Sequence, residues 1–221
     1  MRTVSLFQVL AEKVKRKMRY ELPDIPFITP QSMRLRYGAT FDPNVFARWQ
    51  RDGLVEKVRN GLYRRTDWKM RGEWDRWVIA QHLYAPSYIS LHSAFRYYNF
   101  IPEIVVEVSS ITTKRTRQFV HQDVGFTYRS VRPELFFGYS YLSWNNSVCA
   151  LANPEKALLD FAYLFPRYFE EEELLALRLD VDELEDHLDP AVLATYLDRF
   201  DSTVLRKRVA LLLNVYEMPR V

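Results

Sequence analysis

Apolar residues recur at helical spacing from the start of the chain. Leu6, Val9, Leu10 and Val14 line one side of a segment from residue 3 to about residue 18, with Lys13, Arg16 and Lys17 on its outer side. Three prolines in "ELPDIPFITP" end that pattern. Thr29-Pro30 then reads as a helix start, Thr as N-cap and Pro in the first turn, for a second helix over residues 30–37 that stops at Gly38. Asp42-Pro43 repeats this signal and Gly53 supplies a stop, which predicts a third helix over residues 43–52. Next comes "GLVEKVRNGLYRR", residues 53–65. It sets Asn60-Gly61 between two short apolar-and-charged runs, the pattern of a β-hairpin with a type I′ turn. Three helices followed by a two-stranded hairpin is the plan of a winged helix-turn-helix.

A fourth helix, "GEWDRWVIAQHLY", turns Trp74, Trp77, Val78 and Leu83 mostly toward a core and bridges to a second domain. Ser90 reads as the cap of a short helix reaching about Tyr98. The period then becomes two. "EIVVEVSSITTKRTRQFVHQDVGFTYRSV" predicts three strands and "ELFFGYSYLSWNNSVCALA" two more. Asn153-Pro154 opens the helix "PEKALLDFAYLF", and residues 169–215 read as helical with breaks near Asp180 and Pro190. The expected fold is α+β, with a winged helix-turn-helix over residues 1–72. A mixed α/β domain follows over residues 73–221, with about five strands and a helical C-terminal part.

With Asn60-Gly61 as a two-residue loop, Arg59 pairs with Leu62, Val58 with Tyr63 and Lys57 with Arg64. This register turns Leu54, Val58 and Tyr63 toward the helices. It leaves Lys57, Arg59, Leu62 and Arg64 on a free, positive face, and it sets Arg65 on the packed face within reach of Glu56. On the third helix, Val45, Phe46 and Trp49 share one side, while Asn44, Arg48 and Arg51, spaced four and three apart, share the other. Asn bonds adenine bidentately and Arg does the same with guanine, so these residue types suit base reading. Lys and Arg on a wing suit phosphate contact. The candidate DNA contacts are therefore Asn44, Arg48, Arg51, Lys57, Arg59 and Arg64. Taken alone, the first three are better explained as an ordinary solvated helix face, and it is the helix, the glycine and the basic wing together that favour DNA binding.

Charge sharpens this picture. The whole chain of 221 residues carries only +3, but residues 1–76 hold 17 Lys/Arg against 9 Asp/Glu, and residues 133–221 hold 8 against 16. A basic front and an acidic rear point to a polyanion as the partner of the front, although a solvated surface that drifted gives the same counts. The lone Cys149 excludes a disulfide framework and fits a reducing compartment. No window approaches 18 uninterrupted apolar residues, and no cleavage pattern follows the interrupted apolar start. The expectation is a soluble, cytoplasmic chain with no membrane partner.

Enzyme patterns are sparse. The four histidines show no H-E-x-x-H spacing, one cysteine makes no zinc knuckle, and the six glycines form neither a Walker A loop nor a dinucleotide fingerprint. Ser93 lacks nucleophile-elbow glycines. Four successive glutamates at 170–173 point all round a helix and read as a solvated face at a helix start. Glu155 and Lys156 resemble a nuclease carboxylate–lysine pair, but the macrodipole accounts for Glu155 and a surface pair for Lys156. No catalysis, metal or cofactor is expected. Lys114, Arg115 and Arg117 cluster with Thr112, Thr113 and Thr116 in a strand pair, Lys114 and Thr116 on one face and the two arginines on the other. Edge protection and a functional basic surface suit that cluster equally.

"GLVEKVRNGLYRR", "YISLHSAFRYYNFIPE", "FFGY", "LANPEKALLDFAYL" and "LRKRVALLL", in that order over nearly the whole chain, resemble AbiEi-type antitoxins. These are the antitoxin half of a bacterial type IV toxin–antitoxin and phage abortive-infection system. The resemblance implies that the winged helix binds inverted repeats in the operon promoter and represses it. It also implies that the C-terminal domain counters a nucleotidyltransferase toxin without a stable complex. It maps DNA reading to the third helix, residues 43–52, and to the wing, residues 57–65. It carries no catalytic role to "PEKALLD", whose Ala157, Leu158, Leu159 and Phe161 read as core. Two rivals stand beside it: a nuclease or nucleotidyltransferase-like enzyme with a DNA-binding winged helix, and a protein-interaction module.

Overall fold

The computed structural model describes residues 20–39, 41–69, 72–121, 123–144, 147–168 and 170–219. The helix expected over residues 3–18 lies outside the described residues. The chain divides into two compact units, Met1–Lys69 and Met70–Val221, and the fold is α+β with two sheets.

In the first unit, β1 (Phe27–Ile28) precedes α1 (Pro30–Tyr37), α2 (Val45–Arg51) and a hairpin of β2 (Val55–Arg59) and β3 (Leu62–Arg65). The start of α1 follows from Thr29. Its Oγ1 accepts the Ser32 N–H at 3.0 Å while Ser32 Oγ accepts the Thr29 N–H at 3.1 Å, so two otherwise orphaned donors are satisfied. Helix α2 begins two residues later than the Pro43 signal suggests. Asp42 Oδ1 accepts the Asn44 N–H at 3.0 Å and holds residues 42–44 as a turn ahead of it. Val45, Phe46 and Trp49 of α2 then pack with Ile28, Met33, Phe41 and Val55.

The hairpin sits where the sequence places it, but its faces are not those expected. Arg59 opposes Leu62, whereas Lys57, not Val58, opposes Tyr63, and Glu56 opposes Arg64. Val58 is an extra residue in β2, a bulge that shifts every pair beyond it by one and so exchanges the faces of residues 54–57, while Tyr63 stays on the α2 side as expected. Only Gly61 of the turn pair takes a positive φ, at +75°, so the turn is not type I′. Tyr63 stacks on Phe46 with ring centroids 4.1 Å apart. Leu62 and Arg64 are buried rather than free, and Leu54 is exposed rather than packed. Strand β1, hidden between prolines in the sequence, adds a third strand beside β3, and Trp68 meets its Phe27 edge-on at 5.3 Å.

The second unit holds α3 (Glu73–Leu83), β4 (Ser87–Ile89), α4 (Leu91–Tyr97), β5 (Val108–Thr112), β6 (Arg117–His121), β7 (Val124–Ser130), β8 (Tyr139–Trp144) and β9 (Ser147–Ala152). Helices α5 (Pro154–Leu164), α6 (Glu171–Ala176), α7 (Val181–His187), α8 (Pro190–Phe200) and α9 (Thr203–Val215) complete it. Its sheet has six strands in the order β6-β7-β5-β4-β9-β8, with β5/β7 and β4/β9 parallel and the other neighbours antiparallel. About five strands were expected. The unforeseen one is β4, three residues long and too short to show a period. The expected start of the first strand also moves, because β5 begins at Val108 and residues 103–107 are not strand.

Every residue of β4 and β5 is buried, as befits strands covered on both faces. The register puts Ile89, Ser110 and Tyr128 on one face, where Tyr128 donates its hydroxyl to the Ala80 carbonyl of α3 at 2.7 Å. Tyr88, Ile111 and Arg129 share the other face, toward α5. The expected breaks near Asp180 and Pro190 are present, with Asp180 and Asp189 capping α7 and α8. A further break falls at Asp201, in left-handed backbone at φ +46°, before Ser202 caps α9.

Among the described residues, no helix is long and apolar enough to cross a membrane. Burial of Cys149 in β9 pushes its thiol up to about 12. Iodoacetamide at pH 8 should therefore leave the folded protein unlabelled and modify it in denaturant. Equal labelling rates in the two states, followed by mass spectrometry, would contradict this burial.

Candidate nucleic-acid interface

Helix α2 gives its apolar side to the core and leaves Asn44, Ala47, Gln50 and Arg51 in solvent, with Arg48 half-buried. Asn44 is the N-cap of α2 and makes no side-chain cap bond. Past Gly53, Lys57 and Arg59 are exposed on β2, and Arg59 reaches the Asn60 carbonyl at 3.4 Å.

Arg64 does not join this exposed set. It is 8% exposed, and its Nη2 lies 2.7 Å from Glu56 Oε1. The bulge at Val58 is the cause, since it brings Glu56 opposite Arg64. Arg65, expected beside Glu56, instead binds Asp24 at 2.8 Å, Asp67 at 2.5 Å and the Pro23 carbonyl at 3.0 Å. These hydrogen bonds hold the Asp67 carboxyl below its ordinary range and the Arg65 guanidinium above its own.

The pairs have an electrostatic consequence. Three acidic residues, Asp24, Glu56 and Asp67, are engaged by two arginines set back in the sheet. Arg34, Arg36, Arg51, Lys57 and Arg59 are exposed, as are the acids Glu21, Asp42 and Asp52. Arg34 and Arg36 were missed in the sequence. A readable signal was present, because α1 buries only Met33 and therefore shows its basic last turn, with Leu35 between, to solvent.

The basic cluster of the second unit differs from expectation. Lys114 and Arg115 lie in the connection between β5 and β6 rather than in paired strands, so strand alternation does not sort their faces. Lys114 Nζ donates to the Ala85 carbonyl and sits 5.3 Å from the Tyr84 ring centre. Arg117 opens β6, at the sheet edge, and lies over Phe119 at 5.3 Å.

The "PEKALLD" block is core at Ala157, Leu158, Leu159 and Phe161, as its pattern suggests. Lys156 is no surface pair, however. Both Lys156 and Asp160 are fully buried and are bonded to each other. Asp160 Oδ2 also accepts the Tyr88 and Ser90 hydroxyls, each at 2.9 Å. Ser90 thus caps no helix with its side chain. Phe137 and Phe200 flank the Lys156 ammonium at 5.1 and 4.9 Å. Burial lowers the Lys156 pKa and raises that of Asp160, each opposed by the partner's charge. Glu155 is buried as well, and its Oε1 accepts the Asp189 N–H at 2.8 Å, which ties α5 to the start of α8. Glu170, Glu171, Glu172 and Glu173 are all exposed. No group of three or more His, Cys, Asp or Glu able to hold a metal occurs among the described residues.

Fold and surface together define a two-unit α+β protein whose first unit carries exposed arginines and lysines on α1, α2 and β2. No protein-family model matches the chain, and no curated protein matches it either.

Proposed function

We propose that the chain is a DNA-binding transcriptional repressor in which the first unit acts as a winged helix-turn-helix. In this reading α2 enters the major groove, and the β2–β3 hairpin is the wing that lies along the phosphates. The observation that carries it is the sorting of charge in that unit. Asp24, Glu56 and Asp67 are engaged by Arg64 and Arg65, while α1, α2 and the hairpin keep Arg34, Arg36, Arg51, Lys57 and Arg59 in solvent against the exposed acids Glu21, Asp42 and Asp52. The ordered resemblance of five sequence blocks to AbiEi-type antitoxins extends the proposal. The operator is then an inverted repeat in the chain's own promoter, and the second unit counters a nucleotidyltransferase toxin encoded beside it, with no stable complex and no catalysis.

Full-length protein should bind a duplex carrying that repeat. Arg51→Ala should cost about 1–3 kcal/mol on this site and little on random duplex, as expected where Arg meets a base edge. Lys57→Ala, a phosphate contact, should weaken both alike. Gel-shift titrations with the two duplexes measure this, and equal losses from both variants on both DNAs would remove α2 from base reading.

A further inference from the structure

The second unit contains a cavity of about 530 Å³ on the sheet face opposite α3, within the size range of small-molecule sites. Its floor is polar. The β5/β7 register sets Ser109 beside Thr127 and brings Arg129 onto the same face two residues on. Its walls are mostly apolar and aromatic, with Phe165 and Tyr168 on one side and Ile101 on another.

Arg129 is the unusual group. Its Nε is shielded from solvent and has no hydrogen-bond partner, and its guanidinium carbon lies 5.4 Å from the centre of the Phe165 ring. Nε itself is turned into the protein, but the guanidinium as a whole is partly exposed at the cavity and no carboxylate is bonded to it, so its charge offers a place for an anion. The neighbouring acids do not fill it. Glu103 is bound to Arg178, and Glu107 is exposed, with its side chain laid over Gly125. Burial lowers the His92 pKa, so His92 adds no charge at neutral pH. Arg167, packed on Tyr168 at 4.8 Å and donating to its hydroxyl at 2.9 Å, adds a second guanidinium and an aromatic shelf.

The backbone beside the cavity is strained. Leu91, at the start of α4, takes φ +59°, a left-handed conformation that costs a β-carbon residue energy and is found where surrounding structure holds a site in shape. The surrounding structure here is a serine cluster. Ser109 Oγ donates to the Ser90 carbonyl at 2.8 Å, and Ser93 Oγ accepts the Ser109 N–H at 2.9 Å.

We propose that this cavity binds a small molecule carrying one anionic group, carboxylate or phosphate, on a flat apolar body, with the anion on the Arg129 guanidinium and the body against Phe165 and Tyr168. Planar anions and the guanidinium fork match bidentately, and the aromatic wall gives the body a surface to stack on. The site is independent of DNA binding by the first unit.

Calorimetric titration of the full-length protein tests this with three probes: indole-3-acetate, adenosine 5′-monophosphate and inorganic phosphate. One of the two flat-bodied probes should bind with one-to-one stoichiometry, and which of them binds more tightly assigns the anion as carboxylate or phosphate. Inorganic phosphate should bind at least tenfold more weakly than that probe. Arg129→Gln should weaken the preferred probe at least tenfold. Arg129→Lys should also weaken it, because the charge remains but the planar two-donor fork is lost. Circular dichroism and melting curves confirm that both variants are folded, and Phe165→Leu gives an independent check from the aromatic wall. Absence of binding by both flat-bodied probes overturns the site, as does inorganic phosphate binding equally well or unchanged affinity in folded Arg129→Gln.

Discussion

Lys156→Met should destabilise the protein by about 3–5 kcal/mol, the cost of leaving one member of a buried ion pair without its partner. Nothing at this position reaches water, because Lys156 and Asp160 are both fully buried. With the ammonium gone, the Asp160 carboxylate keeps only the Tyr88 and Ser90 hydroxyls, two neutral donors, in an interior that does not favour a charge. Lys156→Met/Asp160→Asn should recover at least half of the loss, because a neutral amide oxygen still accepts from both hydroxyls. The single variant should also gain a pH dependence. Burial already raises the Asp160 pKa, and loss of the cation raises it further above its unfolded value. Stability is then present at low pH and lost as pH rises through the folded value. Urea melts at pH 5 and pH 8 should show the variant relatively more stable at pH 5. A loss below 1 kcal/mol at both pH values would mean that the pair does not hold α5 to the sheet.

A comparably large effect is expected from salt. If four to six of the exposed cations of the first unit meet phosphates, log K for the promoter duplex should fall against log salt with a slope of roughly −4 to −5. Lys57→Ala and Arg59→Ala should each reduce the slope by about one. Arg64→Ala should leave the slope unchanged, because Arg64 is buried against Glu56. A slope near zero would mean that these exposed cations do not hold DNA.

The comparison of sequence with structure turns on what each local pattern specifies. The start at Thr29-Pro30 was readable because capping is local chemistry, complete within four residues, whereas at Asn153-Pro154 the proline carried the signal and the Asn153 side chain bonds Ser140 and Tyr196 instead of capping. The hairpin was readable as a hairpin, but one extra residue at Val58 moved Glu56 opposite Arg64, which is held there as a buried pair. A bulge leaves no mark in an alternating pattern of five residues. Lys156 and Asp160 stand four apart on a helix, the same spacing that serves an exposed pair. What buries them is Tyr88 and Ser90, about seventy positions earlier and on or beside a strand too short to foresee. Arg129 was one basic residue in an alternating run. Its distinction is a missing acceptor, which only the packed structure displays.

The place of β4 sets the order in which the second unit can be completed during synthesis. One side of β4 pairs with β5, some twenty residues later, but its other side waits for β9 and its Tyr88 hydroxyl for Asp160, 72 positions on. Until the ribosome has released β9, the middle of the sheet has an open edge made of buried-type residues, Ser87, Tyr88 and Ile89. Pairings this distant in sequence close late and slowly. A nascent chain arrested before residue 147 therefore presents that edge to chaperones or to other chains, and release of β9 is the event that shields it.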